Sequence, residues 1–202
     1  MSVEESSLPA ALLVIDVQEA MFGPEQQPPV FRADETVSNI AALLAKARTA
    51  GARVIYIQHH DQTDPALQPG QPGFAIRVVI APKPDETVIV KRICDAFTGT
   101  NLEQVLRDAG IQRLVTCGIQ SDFCVDAATR GAMNRGFAVT LAADAHTTCD
   151  NGILTAEQII AHVNATLPNM SGPGQRVCIK STQEIEFGAV TPWVRGATCG
   201  MW

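Results

Sequence analysis

The stretch Arg113-Leu-Val-Thr-Cys117, continuing as Gly118-Ile-Gln-Ser-Asp-Phe-Cys124, decides the fold. Its first part is a short apolar and β-branched run that stops at a glycine. Such a run suits a strand buried on both faces. Helical spacing takes over from about Asp122 to Arg135, and Gly136 ends it. A strand, a tight turn and a helix in that order are the core of a βαβ unit.

Working outward, the same rhythm recurs. Ala11-Leu-Leu-Val-Ile15 ends at Asp16, Arg53-Val-Ile-Tyr-Ile57 follows, and Thr87-Val-Ile-Val90 ends at Lys91. Phe137-Ala-Val-Thr-Leu141 ends near Asp144, and Arg176-Val-Cys-Ile179 is a weaker sixth run. Between them, Val37, Ile40, Leu43, Leu44 and Ala47 share one helical face that Gly51 closes. Thr100-Asn-Leu-Glu103 and Thr155-Ala-Glu-Gln158 both fit a capping box at a helix start. The expectation is an α/β fold with a mostly parallel, six-stranded sheet. Right-handed crossovers would place helices on both of its faces. Two stretches, Pro24 to Arg32 and His60 to Pro84, read as long surface loops of the kind that border sites.

Composition narrows the class. At 202 residues the chain is expected to form one domain, residues 1–202. Apolar residues make up 46%, which argues against disorder. Fifteen basic against 21 acidic residues give a net charge of −6. An acidic chain without a basic stripe argues against nucleic acid and against an anionic membrane surface. The longest strongly apolar stretch, Leu8 to Ile15, is far short of the ~20 residues a bilayer requires. The start, Met1-Ser-Val-Glu-Glu5, has no secretory pattern, so a cytoplasmic location is expected. The six cysteines lack CxxC pairs and read as reduced thiols.

In an open parallel sheet, ligands bind beyond the carboxyl ends of the strands. Asp16 and Lys91 end the first and third runs, and Cys124 opens a helix after the fourth. A carboxylate, an amine and a thiol are thus expected on one edge. A helix start and a nearby cation favour a thiolate, which makes Cys124 a candidate nucleophile. The alternatives are a small buried core thiol for Cys124, a helix cap for Asp16 and a solvated strand-end amine for Lys91. Their convergence on one edge weakens all three together.

These residues carry a resemblance. Asp16 in LLVIDVQ, Lys91 in VIVKRICDAFTGTNL and Cys124 in CGIQSDFCVDAATRGA resemble the isochorismatase-like cysteine hydrolases, from about Ala11 to Leu167. That superfamily includes nicotinamidases, carbamoylsarcosine amidase and ureidoacrylate hydrolases. The resemblance implies a three-layer, Rossmann-like α/β/α domain with Asp16, Lys91 and Cys124 as catalytic triad. It implies a cis peptide at Ile119–Gln120 and an oxyanion hole from the N–H groups of Gln120 and Cys124. It implies C–N hydrolysis of a small amide through a thioester, and a homodimer or homotetramer. True isochorismatases lack the cysteine, so Cys124 points to amide chemistry. Nicotinamidases carry an Asp-x-His pair and further histidines before the lysine. Here only His59, His60, Asp61 and Asp64 lie there, so no metal and no other cofactor are expected. The Asp144-Ala-His146-Thr-Thr148 segment is more similar to the streptothricin-hydrolase-like branch. A nicotinamidase or a catalytically silent assembly module stays as the alternative. A dinucleotide-binding turn is argued against, because DVQEAMFG after the first strand has no GxGxxG.

Around the triad, Gln18, Phe22, His59, Phe97 and Phe123 are candidates to line the substrate pocket. For Phe97, simple core packing is an equal alternative. Asp95 either bonds near Lys91 or caps a turn, and Asp122 reads as a cap. Asp144 and His146 end the fifth strand and are candidates to close the site, whereas His162 reads as structural. Trp193 and Trp202 are candidates for a subunit interface.

Overall fold

Every residue of β1 (Ala10–Ile15) is buried, and so is every residue of β4 (Arg113–Ile119), as their unbroken apolar runs require. The computed structural model describes residues 9–23, 28–170, 172 and 177–188. Four further strands are β2 (Arg53–His59), β3 (Thr87–Lys91), β5 (Ala138–Thr147) and β6 (Val177–Lys180). They form one sheet in the order β3-β2-β1-β4-β5-β6. All five pairings are parallel. The strand order reverses between β1 and β4, which opens the crevice where such sheets bind ligands. Residue 176 and the C-terminal segment with Trp193 and Trp202 lie outside the described residues.

The helices are α1 (Ala33–Thr49), α2 (Leu102–Asp108), α3 (Asp126–Asn134) and α4 (Ala156–Thr166). They are divided unequally between the faces. On one face α1 buries Val37, Ile40, Leu43, Leu44 and Ala47 against Leu12, Val14, Val54 and Tyr56. On the other, α2, α3 and α4 bury Leu102, Leu106, Ala128 and Ile159 against Leu13, Ile15 and Leu114. Full burial of one such aliphatic side chain contributes about 1.5–3 kcal/mol, so the two layers dominate stability. The connection from β2 to β3 carries no α-helix. It has three short 3-10 turns, Pro65–Leu67, Pro72–Phe74 and Val78–Ile80, because its prolines interrupt helical hydrogen bonding.

Two local expectations differ in outcome. The Thr155 box forms as read: its hydroxyl accepts from Gln158 N at 3.3 Å, and Gln158 Oε1 accepts from Thr155 N at 3.0 Å. The Thr100 box does not form. Thr100 Oγ1 instead donates to Ala96 O at 2.6 Å and accepts from Leu102 N at 3.2 Å, and α2 starts after Asn101. The Glu103 carboxylate turns outward to Arg107 and Arg135. The fifth strand runs to Thr147, past the expected end. A register shift between Thr116 and Gly118 lets it go on pairing.

Candidate active site

Gly118 closes the crevice. It pairs with Ile15 and has φ +124°. A Cβ there would lie 2.1 Å from the Ile15 carbonyl oxygen, so no other residue fits without moving the strands apart. The Ile119–Gln120 peptide that follows is cis. Gln120 O then accepts from Phe123 N and Val125 N, both at 3.1 Å, folding Ser121–Val125 into a widened π-type turn that leads into α3. That turn delivers Cys124 to the mouth of the crevice.

Asp16 leaves β1 with φ 52°, in the left-handed region, and its side chain turns into the same space. Lys91 arrives from β3 by crossing over β2, where its register partner is His59. Lys91 Nζ lies 2.7 Å from Asp16 Oδ2, 3.1 Å from Cys124 Sγ and 3.1 Å from His59 Nδ1. Asp16 and Lys91 are each 1% exposed and Cys124 is 9% exposed. The Asp16 contact is an ion pair rather than an aligned hydrogen bond, because neither carboxylate oxygen accepts a well-directed donor among the described residues. An ammonium has three N–H groups and no acceptor; Cys124 Sγ and His59 Nδ1 each take one, and Asp16 meets its charge.

The charges follow from burial. Burial pushes the Asp16 carboxyl up, and Lys91 opposes it. Burial disfavours the Lys91 ammonium, but Asp16 and Cys124 outweigh it and hold the lysine charged. Burial and the Asp16 charge push the Cys124 thiol up, although Lys91 pulls it down. The site therefore holds one cation and supports one anion beside it. Asp16 and Cys124 compete for that negative charge, and one proton can pass between them. The donor atoms of Asp16, His59 and Cys124 lie within 4.8 Å of one another, a spacing that suits a metal ion. Lys91 Nζ contacts all three residues, so the cation built into this cluster is the ammonium.

Residues 10–166 match the isochorismatase domain family. This chain belongs to that family. It is 39% identical to a streptothricin hydrolase of Streptomyces noursei over 140 residues, which cover 69% of this chain and 55% of that relative. The chain spans about half the length of the two curated streptothricin hydrolases it matches. An uncharacterized isochorismatase family protein of Bacillus subtilis, YddQ, is 34% identical over 155 residues, 74% of this chain and 86% of the relative. A crystal structure of an isochorismatase-family protein from Chromobacterium violaceum superposes with a TM-score of 0.75. It is 32% identical and covers 91% of this chain and 93% of that one. Among the described residues, no helix is long and apolar enough to cross a membrane.

In this isochorismatase-family chain the expected triad is brought together, and so is His59. Gln18 lies beside the site but is fully buried, with both ends of its amide engaged. Its Nε2 donates to His59 O at 3.1 Å and to Phe74 O at 3.0 Å, and its Oε1 accepts from His59 N at 2.7 Å. Phe22 lies under the Arg77 guanidinium, 4.8 Å from it. Phe97 is buried in the core, stacked on Phe137 at 6.1 Å with Arg135 over its ring, which is the core-packing alternative. Phe123, beside Cys124, is 52% exposed and free to meet a ligand. Asp95 holds the turn before α2, accepting from Phe97 N and Thr98 Oγ1, and does not reach Lys91. Asp122 accepts from Thr148 Oγ1 at 2.7 Å. Asp144 accepts from Thr182 N and Oγ1, both at 2.8 Å, and so anchors the chain after β6. His162 sits on the exposed side of α4 and meets Thr166.

His146 buttresses the turn that carries Cys124 from behind. Its Nδ1 lies 2.8 Å from Ser121 Oγ and its Nε2 lies 3.0 Å from Asn164 Oδ1. Sequence reasoning missed Ser121 and Asn164. The available signal was His146 within a buried strand, since buried polar groups require partners.

Proposed function

We propose that this chain is a metal-independent cysteine amidohydrolase that cleaves the C–N bond of a small amide through a thioester. The observation that carries the reading is the single buried ammonium of Lys91 held between Asp16 Oδ2 and Cys124 Sγ. Asp16 takes the thiol proton, and Lys91 neutralises whichever partner is the anion. The thiolate attacks the amide carbonyl carbon and the C=O electrons move onto oxygen. The N–H groups of Gln120 and Cys124 are the proposed donors to that oxyanion, and loss of one such donor costs about 2.7–4 kcal/mol. Asp16 returns its proton to the leaving amine as the C–N bond breaks. Water, deprotonated by Asp16, then attacks the thioester, and the released thiolate recovers its proton as the acid departs.

Metal independence is supported by how the remaining acids are used. Asp61 accepts from Thr63 N, Thr63 Oγ1 and Asp64 N, and Asp64 caps Ala66 N. Both carboxylates shape their own loop. The match to a streptothricin hydrolase makes streptothricin a first compound to test. The natural substrate is proposed to be a small amide, and the assembly a homodimer or homotetramer.

The test is ammonia or amine release from a panel of small amides, including nicotinamide and streptothricin, in the presence of a chelator. Turnover that survives the chelator and is lost in Cys124→Ala is the expected result. Turnover that requires added metal would move the chain to the nicotinamidase-like alternative. Turnover that persists in Cys124→Ala would contradict the covalent mechanism.

A further inference from the structure

The Lys91 ammonium has a third neighbour that the triad chemistry does not use. His59 Nδ1 lies 3.1 Å from Lys91 Nζ. An ammonium can only donate, so Nδ1 must be the unprotonated nitrogen of the ring. The proton of the neutral imidazole then sits on Nε2, which faces Asp61 Oδ2 at 3.9 Å. The backbone that carries the ring is also held in place. Gln18 brackets the His59 backbone, donating to its carbonyl and accepting from its N–H, and ties the same point to Phe74. Gln18 stands two residues beyond Asp16. The segment that supplies the acid thus also holds the backbone of the lysine's imidazole acceptor.

We infer that His59 is a positioning residue that, as a neutral Nε2–H imidazole on a backbone held by Gln18, aims the Lys91 ammonium at Asp16 and Cys124. Without it, one ammonium N–H would lose its acceptor inside a buried site, and the long lysine chain would regain rotamer freedom. Protonating the ring would remove the acceptor and set a second cation against the first. The groups facing the ring are Lys91 from β3, Asp16 after β1, Cys124 before α3, and His60 and Asp61 from the following loop. Burial and Lys91 keep the imidazole below its ordinary range, while Asp16 and Asp61 pull the other way. The net direction agrees with the geometry.

The inference rests on the cysteine hydrolase reading, and its test is independent of turnover. Nitrogen-15 NMR of the wild-type imidazoles, with His59 assigned by its absence in a variant, reads the tautomer directly. A protonated Nε2 and bare Nδ1 at neutral pH are expected. A proton on Nδ1, or an imidazolium at neutral pH, would overturn the inference. Iodoacetamide labelling of Cys124, mapped by mass spectrometry, supplies the second readout. Asn places its side-chain oxygen where Nδ1 stands, whereas Gln reaches toward Nε2. His59→Asn is expected to label within about threefold of wild type, and His59→Ala roughly tenfold to a hundredfold slower, the scale of a misplaced group. In acid, wild type should lose reactivity with one proton more than His59→Asn, whose amide does not titrate. Equal losses in the Asn and Ala variants, or an unchanged acid limb in the Asn variant, would sink the idea. Failure of the hydrolase reading is separate: it would show as turnover persisting in Cys124→Ala, with the tautomer and labelling results untouched.

Discussion

Cys117 and Cys124 are seven residues apart, and burial pushes both thiols up. Cys117, on β4, is fully buried, and its polar neighbour is the Leu13 carbonyl at 3.7 Å. Cys124 has the Lys91 ammonium at 3.1 Å and Asp16 close by. Burial alone yields an inert thiol, because among the described residues no carboxylate or cation is paired with Cys117 as Asp16 and Lys91 are with Cys124. The same burial around Cys124 encloses a base and a cation, so the charge can form by transfer rather than by solvation. What separates the two sites is the turn after Gly118, which swings the second cysteine out of the sheet and over the crevice.

The strongest way to break this comparison is to exchange the losses. Cys124→Ala should lower turnover by at least about 10⁴-fold, the scale seen when a covalent nucleophile is removed. Cys117→Ala should leave turnover within about threefold, since it touches no reacting group. Gly118→Ala acts on the turn between them. Its Cβ would meet the Ile15 carbonyl at 2.1 Å with φ at +124°, so a destabilisation above about 4 kcal/mol in urea unfolding is expected. Lys91→Met should make Cys124 behave like Cys117. It leaves the Asp16 charge buried without its partner, which costs roughly 3–5 kcal/mol in denaturant unfolding unless that carboxylate takes up a proton.

The smallest effect concerns pH. Burial holds His59 and His146 below the ordinary histidine value of 6.5, so each resists protonation more in the fold than in the unfolded chain. The unfolded chain binds protons at these positions first as pH falls. Stability should therefore decline below pH 6.5, by up to about 1.4 kcal/mol per pH unit for each histidine. Asp16 acts oppositely, since its raised carboxyl favours the protonated fold from its ordinary value of 3.8 upward. Urea midpoints across this range, in wild type and His146→Gln, should show a shallower decline in the variant. Equal slopes would remove His146 from the explanation.

Much of the architecture was legible because it rests on local pattern. The unbroken runs of β1 and β4 require burial on both faces, and the α1 stripe leaves one orientation. The meeting of Asp16, Lys91 and Cys124 was legible because strand ends in a parallel sheet share an edge, so Asp16 and Lys91 could be placed without knowing any distance. The unequal division of helices was not, because the proline-rich β2–β3 connection carries no periodic signal for the face it crosses. Thr100 misled because a hydroxyl near a helix start can bond backward as readily as forward, and Ala96 O lay within reach. Gln18 was read as a pocket residue because its partners are distant: His59 and Phe74 lie 41 and 56 positions along the chain. No local rule links an amide to a backbone that far away.

The proposed role of Lys91 and Asp16 is to turn Cys124, one of three buried thiols among the described residues, into a nucleophile. It is tested most directly by labelling the native protein with iodoacetamide at neutral pH and mapping each cysteine by mass spectrometry. Exposed Cys94 serves as the internal reference. The account predicts that Cys124 labels despite its burial, that Cys117 does not, and that Lys91→Met slows Cys124 alone. Cys124 as unreactive as Cys117 in the wild-type protein, or reactivity indifferent to Lys91, would contradict it.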